Sequence, residues 1–101
     1  MSMKLAEVLT AVRDQDLPLA KVEEYRDTLI HFRTDLLMRV AELEKERALF
    51  LMKNPDKSAT QRKIEWDAGE SGQKLIEYRA SLRGLPGEID ALQSRIFSLI
   101  R

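Results

Sequence analysis

The most constraining feature of this sequence is an apolar residue that recurs every seven positions. Five successive positions keep this spacing without a miss: Val22, Leu29, Leu36, Leu43 and Phe50. A seven-residue apolar repeat places one stripe along a helix and is typical of a coiled-coil seam. Residues 19–53 contain neither glycine nor proline. The sequence therefore predicts one long helix over residues 18–53, which at about 1.5 Å per residue spans roughly 50 Å.

A second apolar stripe, with alternating steps of four and three residues, follows in the C-terminal half. Its members are Ile64, Ala68, Ser71, Leu75, Tyr78, Leu82, Leu85, Ile89, Leu92, Ile96 and Leu99. The stripe keeps its register through residues 84–87, although proline inside a helix costs about 3 kcal/mol and glycine about 1. We predict one helix over residues 59–100, kinked at Pro86; two helices with a break at 84–87 are the alternative.

A turn is predicted between these two stripes, at residues 54–58. Pro55 disfavours the helical conformation for Asn54, so the first long helix should end there. Ser58 and Gln61 have the spacing of a capping box, which marks a new helix N-terminus. A tight reversal between two long helices gives an antiparallel hairpin.

A shorter stripe at Leu5, Val8 and Val12 predicts an N-terminal helix over residues 3–14. The predicted fold class is all-α: a short N-terminal helix followed by a long, coiled-coil-like antiparallel hairpin. Its C-terminal helix is kinked or broken near Pro86. A chain of 101 residues and 11.7 kDa is expected to form a single helical domain over residues 1–101.

The composition excludes several kinds of chemistry. The chain has no cysteine and one histidine, which excludes disulfides, thiolate ligands and paired imidazoles. Seventeen basic and 17 acidic residues give zero net charge, unlike a strongly basic polyanion binder. No apolar run approaches the ~20 residues of a membrane span. We expect a cytoplasmic protein that is not an enzyme and has no cofactor, no metal and no membrane contact.

Two polar clusters are candidates for a metal or acid–base site. His31 lies one helical turn from Asp27 and from Asp35, but all three are predicted to point away from the seam into water. The acidic run at 42–46 alternates with basic residues and lacks the histidines of a carboxylate-bridged metal site. Both clusters are interpreted as solvated helix faces.

Small residues form a patch at positions 68–72, where Gly69 and Gly72 flank Ser71. A phosphate-binding loop would need a preceding strand and a following Lys-Ser or Lys-Thr, and the sequence has neither. We interpret the patch as a surface that lets another helix approach closely. A local break in the helix is the other interpretation.

Trp66 is the aromatic residue whose position in the fold is hardest to predict from the spacing. The predicted seam passes through Ile64 and Ala68, so Trp66 should point outward, beside Arg62 and Lys63. Three roles are open: packing against the N-terminal helix or a second subunit, docking of a protein partner, or stacking on a nucleobase.

Several apolar residues lie off both seams, and the N-terminal helix is too short to cover all of them. Contiguous exposed apolar residues usually mark an interface. We therefore predict a homo-oligomer, a dimer or larger. The candidate interface residues are Ile30, Leu37, Leu51, Ile76, Phe97 and Ile100.

Three stretches of the sequence resemble a known kind of protein: residues 41–48, Lys63-x-x-Trp66, and Leu92-x-x-Arg95-Ile96. They are similar in style to small helical accessory proteins from bacteriophage genomes, of the recombination-mediator (UvsY-like) kind. The resemblance covers most of the two long segments and implies oligomeric binding of single-stranded DNA and loading of a recombinase.

The leading functional expectation is a helical interaction or scaffold protein, encoded by a phage or mobile element. It would act through helix–helix contacts in the host cytoplasm, as an adaptor or an inhibitor of a partner protein. The first alternative is an oligomeric accessory factor that binds single-stranded nucleic acid. The second is a helical secretion substrate or chaperone.

Overall fold

The computed structural model describes residues 4–53 and 55–100, and 86% of them are helical, with no strand among them. The four helices are α1 (Leu5–Ala11), α2 (Leu19–Lys53), α3 (Ala59–Ala68) and α4 (Glu70–Ile100). The long helix α2 packs against α4 in a hairpin-like arrangement. The all-α fold class predicted from the two apolar stripes is confirmed.

The predicted turn and helix start agree with the structure where it describes them. Asn54 lies outside the described residues, and residues 55–58 are non-helical. The Ser58 hydroxyl accepts from the Gln61 backbone N–H at 3.1 Å, and the Gln61 side chain accepts from the Ser58 N–H at 3.2 Å. This capping box begins α3 by supplying partners that the first helical turn cannot provide for itself.

The C-terminal segment is interrupted at Gly69, between α3 and α4, and α4 continues through residues 84–87. The prediction of one helix over residues 59–100 is therefore wrong, because the helix breaks at Gly69. The helix does pass through Pro86, so the alternative of a break at 84–87 is also wrong. Leu85 and Leu92 are both buried. The free energy gained by burying them on either side of Pro86 offsets the cost of the backbone hydrogen bond that a proline removes.

The chain divides into two compact units, to both of which α2 and α4 contribute. The first unit comprises Met1–Asp35 and Gly84–Arg101. Its buried apolar side chains come from α1, the residue after it, α2 and α4, and they are Val8, Val12, Val22, Leu29, Leu85, Leu92 and Ile96. Arg95 donates to the carbonyl oxygens of Val12 at 2.7 Å and Asp14 at 2.8 Å. These bonds give hydrogen-bond partners to backbone carbonyl groups just after α1.

The second unit, Leu36–Arg83, has a thinner core. Its buried apolar side chains among the described residues are Trp66 and Leu75. The seam residues of α2 in this unit are only half-buried, namely Leu36, Val40, Leu43 and Phe50. An ion pair between Arg79 and Glu44, 2.7 Å long and half-exposed, joins α4 to α2 at the surface.

Candidate functional site

The second unit places Trp66 in its core. The indole is 8% exposed, whereas Ile64, two residues earlier, is 62% exposed. The prediction that the seam continues through Ile64 and leaves Trp66 pointing outward is therefore wrong for α3. Residues two apart lie about 200° apart around a helix, so only one of them can face the core. Trp66 has the larger apolar area, and its burial stabilises the observed register more.

Arg47 of α2 covers the buried tryptophan. Its guanidinium carbon lies 5.9 Å from the centroid of the Trp66 ring, within the range of a cation–π interaction. The same guanidinium bonds the Asp67 carboxylate with two contacts, Nε to Oδ1 at 3.1 Å and Nη2 to Oδ2 at 3.5 Å. One arginine thus joins α2 to consecutive residues of α3.

The other two members of the predicted contact site do not accompany Trp66 on one surface. Arg62 is half-buried and donates to the Leu51 carbonyl oxygen at the end of α2, while its Nε is buried without a hydrogen-bond partner. Lys63 is exposed. In this conformation the three residues do not form a continuous basic and aromatic strip.

The bend between α3 and α4 depends on a close approach at Gly72. A Cβ at this position would overlap the carbonyl oxygens of Trp66 and Asp67, which are backbone atoms. The Gln73 side chain donates to the Asp67 carbonyl at 3.1 Å, and Gly69 donates its N–H to the Trp66 carbonyl at 3.2 Å. Both interpretations of the small-residue patch apply, because the helix breaks at Gly69 and Gly72 lets another helix approach closely. The close neighbour of Gly72 is the end of α3.

Most of the predicted interface residues are exposed within this chain. These are Ile30, Leu37, Ile76, Phe97 and Ile100. Leu51 is half-buried. Their exposure agrees with an interface role, which stays a prediction.

The sequence reasoning missed further exposed apolar residues, namely Met38, Leu49, Met52, Ile64 and Leu99. We define the outer α2 face as Leu37, Met38, Leu49 and Met52. At about 100° per residue, these four side chains fall within roughly a third of the helix circumference, opposite the seam. A second search for apolar residues half a turn away from the heptad stripe would have found them.

The polar clusters lie at the surface. His31, Asp27 and Asp35 are all exposed, and no group of three or more potential metal ligands occurs within the described ranges. Among exposed pairs, Glu24 accepts a hydrogen bond from Lys21 at 3.1 Å and raises the pKa of that lysine. This is an ordinary ion pair on a solvated helix face.

A shallow depression lies between α2 and α4 in the second unit. Its lining residues are Arg39, Glu42, Leu43, Glu46, Lys74 and Tyr78. Arg39 lies over the Tyr78 ring at 5.9 Å. The lining carries two acidic and two basic side chains, so it presents no single charge to a ligand.

None of the helices in the described part of the chain is both long enough and apolar enough to span a bilayer. Comparison with models of protein families, with curated proteins and with solved structures finds no match.

Proposed function

We propose that this chain is a non-enzymatic helical scaffold protein of the cytoplasm that acts through helix–helix contacts and assembles first with a second copy of itself. The observation that carries the proposal is the outer α2 face. Its four side chains are between 44% and 77% exposed in the single chain. An exposed apolar surface of this kind is typical of a protein–protein interface.

A row of residues that runs along the outer α2 face suits contact with a second copy of the chain. Met38, Ala41, Lys45, Ala48 and Met52 follow one another in steps of three, four, three and four residues. Methionines stand at both ends, alanines inside them and Lys45 at the centre, so the residue types read the same from either end. In an antiparallel pair related by a two-fold axis near Lys45, Met38 of one copy would lie near Met52 of the other, and the reverse. The alanines allow the two helices to approach closely.

Lys45, at the centre of this row, is the polar residue that would set the register of two copies. Its aliphatic stem can cover apolar surface while its ammonium group reaches Glu42 or Glu46 on either side. A single polar residue in an apolar helix interface favours one alignment over shifted ones, at some expense in stability.

The burial of Trp66 favours this scaffold role over the single-stranded nucleic-acid role. A base-stacking tryptophan has to offer a ring face to the nucleotide. Here Arg47 lies over the ring and the indole is 8% exposed. The proposed role of the assembly is that of an adaptor or an inhibitor of a partner protein.

Light scattering after size-exclusion chromatography tests the proposal. A monomer has a mass of 11.7 kDa. We expect at least twice this mass for the natural chain, and dissociation for the double variant Leu49→Glu with Met52→Glu, because paired copies would bring these carboxylates together. Ala80→Glu with Ala91→Glu is the matched control, since it adds the same charge at exposed positions of α4.

The control variant should keep the mass of the natural chain. A natural chain that is monomeric at every concentration would overturn the proposal. Dissociation of the control to the same extent would show that added charge, and not the outer α2 face, decides assembly.

A further inference from the structure

The sequence and the structure assign different residues of α3 to the seam. The apolar stripe of α4 extends backwards in unbroken register through Ser71, Ala68 and Ile64, as it would in one straight helix. In the structure, Trp66 occupies the core and Ile64 is exposed. Since these two residues lie on nearly opposite sides of the helix, the chain has two mutually exclusive ways to pack α3.

We propose that residues 69–72 form a two-state hinge. In the bent state, described above, Trp66 packs under Arg47 and Ile64 faces solvent. In the straight state, α3 and α4 join into one helix, Ile64 and Ala68 enter the seam, and Trp66 turns outward between Arg62 and Lys63.

The two states are stabilised by different interactions of comparable strength. Straightening would add the backbone hydrogen bonds that a continuous helix makes across residues 69–72. It would also bring Ile64 out of water. The bent state keeps the larger indole buried, together with the contacts that Arg47 makes to Trp66 and Asp67. Competing packings of one sequence that differ by little free energy are the basis of a conformational switch.

Gly72 decides whether the bent state is allowed. A Cβ there would overlap backbone oxygens, which cannot move aside as the tip of a side chain can. Gly69 is different: a Cβ would lie 3.4 Å from the nearest atom, and its backbone is extended, with φ −77° and ψ 176°. Any residue adopts that conformation. An alanine is therefore compatible with the bend at position 69 and incompatible with it at 72.

These two glycines give a matched test. Gly69→Ala and Gly72→Ala both favour a continuous helix, but only at position 72 does the added Cβ overlap backbone oxygens and so remove the bent state. Trp66 is the one tryptophan of the chain, so its fluorescence reports this site alone. For Gly72→Ala we expect a red-shifted emission maximum, a several-fold rise in acrylamide quenching, and full helical circular dichroism. Gly84→Ala, where a Cβ meets open space, should keep Trp66 protected, and Gly69→Ala should expose it much less than Gly72→Ala because the bent state stays sterically allowed.

Two results would overturn the hinge. One is a Gly72→Ala chain whose Trp66 stays buried. The other is a chain that exposes Trp66 and also loses helical signal, because α3 would then be unfolding instead of straightening.

A second measurement, on the chain with its natural Gly72, tests the hinge even if the Gly72→Ala chain does not fold. Relaxation-dispersion NMR of the Trp66 indole N–H detects a minor state that exchanges on the microsecond-to-millisecond timescale. Ile64→Gln is neutral in the bent state, where Ile64 is exposed, and unfavourable in the straight state. We expect exchange in the natural chain and several-fold weaker exchange in Ile64→Gln. Absent exchange in the natural chain, or equal exchange in both, contradicts the hinge.

Discussion

The two units of this molecule use the same two long helices and reach different degrees of burial. Seven of the nine buried apolar side chains in the described residues belong to the first unit, and two belong to the second. The heptad seam of α2 illustrates the difference. Val22 and Leu29 are fully buried in the first unit, whereas Leu36 and Leu43 are half-buried in the second.

The difference teaches that a heptad stripe alone does not make a core. A pair of helices covers each seam residue from one side only, and a third element has to cover the other side. In the first unit Val8 of α1 and Val12, just after the end of α1, serve this purpose. In the second unit the short helix α3 supplies a single buried side chain, Trp66.

The largest expected effect is a difference in the loss of stability caused by one substitution in each unit. Leu29→Ala should lower the free energy of unfolding by about 3 kcal/mol, because it leaves a cavity at a fully buried site. Leu43 occupies the equivalent heptad position in the second unit and is half-buried there, so Leu43→Ala is the matched substitution. We expect about 1.5 kcal/mol there. Urea unfolding followed by circular dichroism measures both, and equal losses would remove the contrast between the units.

A smaller effect is expected from the capping box of α3. Ser58→Ala removes the hydroxyl that accepts from the Gln61 N–H, at a loss of about 1 kcal/mol. Because α3 carries Trp66, the loss should be visible in the fluorescence-detected transition. Ser98→Ala, at an exposed position inside α4, is the control and should leave that transition in place. A fluorescence transition that Ser58→Ala does not move would show that the cap does not hold α3.

Local signals were sufficient to predict much of the fold. The heptad stripe located α2 to within one residue at its start, and the Ser58–Gln61 spacing located the start of α3. The N-terminal helix, predicted over residues 3–14, extends only over Leu5–Ala11. Helix ends are less certain because they depend on capping contacts, here those that Arg95 makes from distant α4 to the chain after α1.

The sequence could not reveal the position of Trp66. An unbroken register of small and apolar residues at 64, 68 and 71 is indistinguishable from a continuous helix when only spacing is considered. The bend is allowed locally by the fit of Gly72 against two carbonyl oxygens, and it is held by a tertiary contact, that of Arg47 with Trp66 and Asp67. The glycines at 69 and 72 were a visible signal, yet spacing alone did not distinguish a break from a packing surface.

The most direct test of the contrast between the units is native-state hydrogen exchange of the backbone amides, resolved by residue with NMR. Local opening follows the amount of buried apolar contact, so poorly packed segments open at lower free energy than the core. Our prediction is that protection is strongest in residues 22–35 of α2 and 85–96 of α4, and weaker in α3 and residues 36–50. Protection in α3 equal to that around Leu29 and Leu92 would contradict it.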